Sequence, residues 1–264
     1  MPPIILPIEI EETILDLLVE DDEGRSTLKT CSLVCQAFLP ICRKHIFKSI
    51  ALNHWNPPPN FQGYSSTTRS FDRLLCETPE IADYIRILDY NIKKEDLTTP
   101  SIRKSLKRIS RLESLTVSDS NYAKLDWSNN PIRSELLHLL HLPTLTQLVM
   151  SYIDNFVVSD LIPCVNLKYL FIGHYTTVPV VDKNTFLAAL PEHSIQLNGF
   201  GAGSKCSAAI MELCTARRPD GQPIIDFGSL SMVAVNLEEP RDVEASQELI
   251  KNCHTLTDVR INCK

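Results

Sequence analysis

Apolar residues recur along this chain in two different rhythms. Over the first fifty residues the spacing is helical. Ile10, Ile14, Leu17 and Leu18 fall at i, i+4, i+7 and i+8, the stripe of an amphipathic helix. Pro7 suits a first helical position, and Glu9, Glu11 and Glu12 place negative charge against the positive end of the helix. An acidic turn (Asp21-Asp22-Glu23-Gly24) leads to a second start at Ser26. There Leu28, Cys31 and Cys35 share a face flanked by Val34 and Phe38. Pro40 is expected to end or kink that helix, and a short third segment carries Ile41, Ile46 and Phe47 before Ile50-Ala51-Leu52. Three helices this short bury little apolar surface alone. The segment either docks on the remainder of the chain or offers its apolar face to another protein.

Further along, one phrase returns: apolar, two of any kind, apolar, one of any kind, apolar. It starts at Leu112, Leu145, Leu167, Leu230 and Leu256, with a weaker version at Ile195-Gln-Leu197. The alternation at its end predicts a strand. Helices are predicted between the strands, over 102–109, 132–140, 184–190, 207–216 and 245–251. Phe71, Leu74 and Leu75 mark another helix, and residues 80–90 are expected to run from a helical turn into a strand with Ile85 and Ile87 alternating. Pro57, Pro58 and Pro59 predict an extended spacer. The expected fold class is α/β: a three-helix module over 1–52, a proline-rich spacer over 53–63 and a repeat domain over 64–264.

Strand followed by helix at steps of 33, 22 and 26 residues (112 to 145, 145 to 167, 230 to 256) resembles the leucine-rich repeat. That resemblance implies an irregular solenoid of short parallel strands and helices; a generic α/β domain is the other reading. The position that usually holds Asn or Cys in such repeats is Ser120, Ile153, Tyr175, Glu238 or Lys264 here, so an asparagine ladder is missing and curvature should be irregular. The last predicted strand reaches Lys264 without a cap, as in a shortened member of a longer family.

The N-terminal segment resembles the F-box, with wording close to F-box proteins of mushroom-forming fungi. The residues that carry the likeness are Leu6-Pro7-x-Glu9, Ile10, Ile14, the run Leu28-Lys-Thr-Cys-Ser-Leu-Val-Cys-Gln-Ala-Phe-Leu39 and the run Arg43-Lys-His-Ile-Phe-Lys-Ser-Ile50. Phe38 stands where many F-boxes have tryptophan. The likeness implies docking on a Skp-type adaptor of an SCF-type cullin-RING ubiquitin ligase, through Leu6, Pro7, Ile10, Ile14, Leu28, Cys31, Val34, Cys35 and Phe38. The remaining chain would then hold an unknown protein target. An ordinary helical cap on a scaffold without any ubiquitin role is the alternative.

Within the repeat phrase, the strand residues that alternate with the core are mostly small or polar. Tyr169 and Phe171 break that rule, and Val149 and Met232 extend them into one apolar patch if the strands stack in order. Such a patch is either a target-binding hot spot or is covered by a loop or by the helical module.

Composition narrows the function. A net charge of −6 argues against a general nucleic-acid binder. Eight acids lie between Glu9 and Glu23 and none appears again until Asp72, which makes either two solvated faces or a module oriented by its field. No apolar run is long enough for a membrane span, and nine scattered cysteines fit reduced thiols in cytoplasm or nucleus. Cys31, Cys35, Cys42 and His45 lack zinc-site spacing and read better as apolar positions. Gly199-Phe-Gly-Ala-Gly203-Ser-Lys205 fits neither phosphate-loop template and is expected to be a flexible strand-to-helix turn. The seven histidines accompany no nucleophile motif. The expectation is therefore a binding adaptor without catalytic residues, metal or cofactor; an α/β enzyme is the more distant alternative.

Overall fold

The computed structural model describes residues 7–19, 24–34, 38–53, 63–119, 124–173, 176–177 and 191–263. In chain order these form α1 (Ile8–Val19), α2 (Gly24–Val34), α3 (Phe38–Ile46), β1 (Ser49–Leu52), β2 (Tyr64–Ser66) and α4 (Thr68–Glu77). After a 3-10 turn (Pro79–Tyr84) come β3 (Ile87–Ile92), α5 (Pro100–Arg108), β4 (Ser114–Asp119), β5 (Leu125–Asp126), α6 (Arg133–Leu140), β6 (Gln147–Ser151) and β7 (Ile153–Asp154). The remainder holds β8 (Tyr169–Ile172), β9 (Ile195–Gln196), β10 (Gly199–Ala202), α7 (Ser207–Thr215), β11 (Ile225–Asp226), β12 (Met232–Leu237), α8 (Pro240–Lys251) and β13 (Asp258–Cys263).

Nine strands make one all-parallel sheet in the order β2-β1-β3-β4-β6-β8-β10-β12-β13. The protein is thus α/β, built on a large parallel sheet. Apart from the exchange of β1 and β2, spatial order follows chain order. Eight of these strands begin two residues after an apolar anchor: Phe47, Ile85, Leu112, Leu145, Leu167, Leu197, Leu230 and Leu256. The six anchors from Ile85 to Leu230 are buried. At each step between these strands one carbonyl accepts two successive N–H groups of the next, as Glu113 does from Thr146 and Gln147, and Asn198 from Ser231 and Met232. This repeated clamp fixes the register, so that Ser114, Gln147, Tyr169, Gly199, Met232 and Asp258 lie level across the sheet.

The alternate residues Leu88, Leu115, Leu148, Leu170, Phe200 and Val233 face a single core that also takes Phe71, Leu75, Ile102, Leu106, Leu136, Leu139, Ile210 and Leu249 from the helices. Local chemistry sets the helix starts. Thr67 accepts from the Ser70 amide at 3.2 Å before α4, Pro100 opens α5, and Glu239 with Asp242 forms a capping box before α8. Two buried carboxylates pin the turns. Asp96 accepts from Asn53 at 2.7 Å, Thr68 at 2.5 Å and the Lys93 amide at 3.0 Å. Asp160 accepts from the Trp127 indole at 2.7 Å and pairs with Arg133 at 2.7 Å.

A second, smaller core joins the first three helices: Leu15, Leu28, Ile41, Cys42 and Ile46, with Leu18, Cys31, Phe38 and Phe47 packed around them. It is tied to the sheet. Phe47 meets Tyr64 at a ring separation of 5.3 Å, Arg43 pairs with Glu80 at 3.3 Å, and the Arg86 amide donates to Lys48.

Several expectations change. The second helix ends at Val34, and Pro40 sits in the first turn of α3, where its missing N–H has no helical partner to lose. Phe38 therefore opens the third helix. Ser49–Leu52 is a sheet strand, and Asn53, expected in the spacer, is buried with a left-handed φ of 63°; residues 54–62 of the spacer lie outside the described residues, as does the helix expected over 184–190. Ile87 faces outward, because Ile85, Leu88 and Tyr90 take the core positions. Among the described residues Ile195–Gln196 pairs only with β11; the sheet strand at that level is Gly199–Ala202, buried throughout, so the turn into α7 is confined to residues 203–206. The phrase there is Leu197-x-x-Phe200-x-Ala202.

Candidate interaction face

The helices cover one side of the parallel sheet, and the opposite side carries the outward positions of each strand. Because the register is level, equivalent positions stack into rows. One row runs Ser114, Gln147, Tyr169, Gly199, Met232, Asp258, and the next Thr116, Val149, Phe171, Gly201, Ala234, Arg260. The four residues of the apolar patch, Val149, Tyr169, Phe171 and Met232, are brought together in this way. Tyr169 is 44% exposed and Phe171 38%, so no described loop or helix covers them. They line a cavity of about 310 Å³ with Gln147, Gly199, Gly201 and Ala234.

The strand between them, β10, was the missing part. A Cβ on Gly199 would lie 2.7 Å from Cδ1 of Tyr169 and 3.0 Å from the Met232 methyl; a Cβ on Gly201 would collide with Cδ2 of Phe171 and lie 3.0 Å from its Cε2. The two rings thus lean over bare backbone and shield it from water. Glycine at i and i+2 in a strand signals close approach of another group, and that spacing was visible in the sequence. Among the described residues no charged side chain lines the cavity. At its margin Asp258 and Arg260 pair at 2.8 Å, and Asn262 donates to Asn236 at 3.0 Å. An apolar centre within a polar rim is the anatomy of a protein-binding surface.

The N-terminal candidates divide between two environments. Pro7, Ile10 and Ile14 are exposed, as is Leu17 at 63%. Leu28 is buried in the small core, with Cys31 and Phe38 packed against it, so these three hold the helices together. Leu6, Cys35 and the side chain of Val34 lie outside the described residues. Helix α1 therefore has apolar residues on two sides, Leu15 and Leu18 inward and Ile10, Ile14 and Leu17 outward.

Titratable groups among the described residues give no cluster of catalytic type. His45 is held below the ordinary histidine range by burial, with Asp16 at 3.1 Å opposing the shift. Burial likewise raises the Cys42 thiol, and pushes Cys164 and Cys214 up to about 12. Among the described residues no three His, Cys, Asp or Glu side chains converge as metal ligands, and the eight described cysteines are free thiols. No described helix is long and apolar enough to cross a membrane.

Fold and face together define an α/β protein with one helix-covered and one open sheet surface. No protein-family model and no curated protein matches the chain.

Proposed function

We propose that this chain is a protein-recognition adaptor: a leucine-rich-repeat-like solenoid whose open sheet face holds a protein target, preceded by F-box-like helices that dock on a Skp-type adaptor of a cullin-RING ligase. The observation that carries the target site is the convergence of Val149, Tyr169, Phe171 and Met232 on one cavity over a glycine strand. Large, half-exposed aromatic anchors around a pocket with no charge are where interface energy concentrates. The repeated anchor-to-strand spacing and carbonyl clamp support the solenoid, in which each unit buries its face on its neighbours. The exposed row Ile10, Ile14 and Leu17 supports docking through α1. Ubiquitin transfer would belong to other subunits.

A photo-crosslinking amino acid at Val149 should capture the target, and the purified target then gives a Kd. Tyr169→Ala with Phe171→Ala should weaken that Kd by about 30-fold, equivalent to roughly 2 kcal/mol, with little change in Tm. In parallel, Ile10→Asp with Ile14→Asp should abolish pull-down of a purified Skp-type adaptor while the far-UV spectrum stays unchanged. Equal adaptor capture by wild type and variant would remove the ligase assignment and leave the sheet-face proposal standing.

A scaffold without a ubiquitin role has one observation in its favour. Leu28, Cys31 and Phe38 face inward, and α3 is fastened to the sheet through Arg43–Glu80 and Phe47–Tyr64, as a cap would be. Adaptor binding decides between the two.

A further inference from the structure

The helical side of the molecule carries a second surface of opposite character. In α5 the core takes Ile102, Ser105 and Leu106, which leaves Lys104, Lys107 and Arg108 on the outer stripe at i, i+3 and i+4, and Arg111 follows in the loop to β4, all four exposed. The neighbouring α4 buries Phe71 and Leu75 and exposes Arg69 and Arg73. The two helices are locked side by side, since Ser105 donates to Asp72 at 2.6 Å and Arg108 donates to the Leu75 carbonyl. Six exposed cations therefore share one surface in a chain of net charge −6. Of the six, only Lys107 is ion-paired among the described residues, with Glu135 at 3.1 Å. Three acids beside them are already engaged, Asp72 by Ser105, Glu113 by Arg86 and Glu80 by Arg43, which leaves Glu77 at the end of α4 as the exposed acid within the patch.

We infer that this α4–α5 surface docks an acidic polypeptide segment. Concentrated positive charge with few competing acids attracts and orients a negative partner. Nucleic acid fits less well, because α4 and α5 present no exposed aromatic ring for base stacking. An anionic membrane fits less well too, because no large apolar side chain on these helices is exposed to enter it. The surface lies across the core from the cavity, so the inference does not rest on the sheet-face reading.

The test uses the full chain and a fluorescein-labelled glutamate decamer, followed by fluorescence anisotropy. Wild type should bind, and raising NaCl from about 50 to about 300 mM should weaken binding roughly tenfold, since exposed pairs are screened. Lys104→Glu with Arg111→Glu, and separately Arg69→Glu with Arg73→Glu, should each raise Kd more than tenfold. Lys104→Gln with Arg111→Gln should give a smaller loss, which guards against misfolding as the cause. Arg241→Glu on α8 and Tyr169→Ala with Phe171→Ala should leave Kd unchanged. No binding by wild type, equal binding by the charge-reversed variants, or tighter binding to a single-stranded DNA oligomer or to phosphatidylserine vesicles would overturn the inference.

Discussion

Adding one methyl group to Gly201 should leave the fold almost intact and still disturb the sheet face, whereas the same change at Gly173 should destabilise. At Gly201 the new Cβ collides first with the Phe171 ring, at Cδ2 and then 3.0 Å from Cε2, and that ring is 38% exposed. It can swing outward. Moving a ring off its preferred rotamer costs roughly 0.5–1.5 kcal/mol, and replacing a strand glycine returns roughly 0.5–1 kcal/mol through a less flexible unfolded chain. The net change in stability should stay within about 1 kcal/mol. At Gly173 the Cβ meets the Ser151 hydroxyl, lies 2.6 Å from Ser151 Cβ and 3.1 Å from the Met150 carbonyl oxygen. A hydroxyl can turn away, but a Cβ and a ladder carbonyl cannot move without the backbone. Overpacking of that kind costs about 1–3 kcal/mol, so Gly173→Ala should lose about 2 kcal/mol. Urea denaturation followed by far-UV circular dichroism measures both. At the sheet face, Gly201→Ala should weaken the target captured at Val149 by about 30-fold, because Phe171 no longer lies over the strand. Equal losses of stability at the two glycines, or unchanged target affinity in Gly201→Ala, would refute the claim that Phe171 is a displaceable ring lying over the glycine strand.

Three further outcomes are expected. Asp160→Ala should cost about 2–3 kcal/mol in urea denaturation, because the Trp127 N–H loses its buried acceptor while Arg133, at 31% exposed, regains water; a loss below about 1 kcal/mol would mean that this clasp adds little. His45, with its folded pKa lowered by burial, binds its proton more readily unfolded. Its contribution is therefore complete above the ordinary value of about 6.5 and is lost as pH falls through that range; His45→Gln should flatten the fall, and stability that rises on acidification would show that Asp16 dominates instead. Brief alkylation at pH 8 with peptide mapping should mark the exposed Cys76 and Cys263 and spare Cys164 and Cys214, whose thiols stay protonated with pKa values near 12; rapid labelling of Cys164 would show that its surroundings open.

Much of the architecture was legible as spacing. An apolar anchor, a gap of two and an alternating pair require a strand with one buried side, and a strand begins two residues after each of Leu112, Leu145, Leu167, Leu230 and Leu256. Helices after Pro100 and around Arg133, Ser207 and Ala245 were readable from their own periodicity. The units at Ile85 and Leu197 were harder to see because Tyr90 and Ala202 fill slots that elsewhere hold Val, Met or Ile. Depth in the core comes from what packs above a residue, not from its own hydrophobicity. The apolar residues of the sheet face could be named one strand at a time, but their meeting depended on the level register set by seven carbonyl clamps and on β10 entering between β8 and β12. Likewise the sequence marks α1 as amphipathic without saying which apolar residues face inward. Contacts with Leu28, Ile41 and Ile46, distant in the chain, bury Leu15 and Leu18 and leave Ile10, Ile14 and Leu17 outside. Periodicity is a local property and determines that a face exists; which surface covers it is decided by residues far along the chain, and only the folded molecule brings those together.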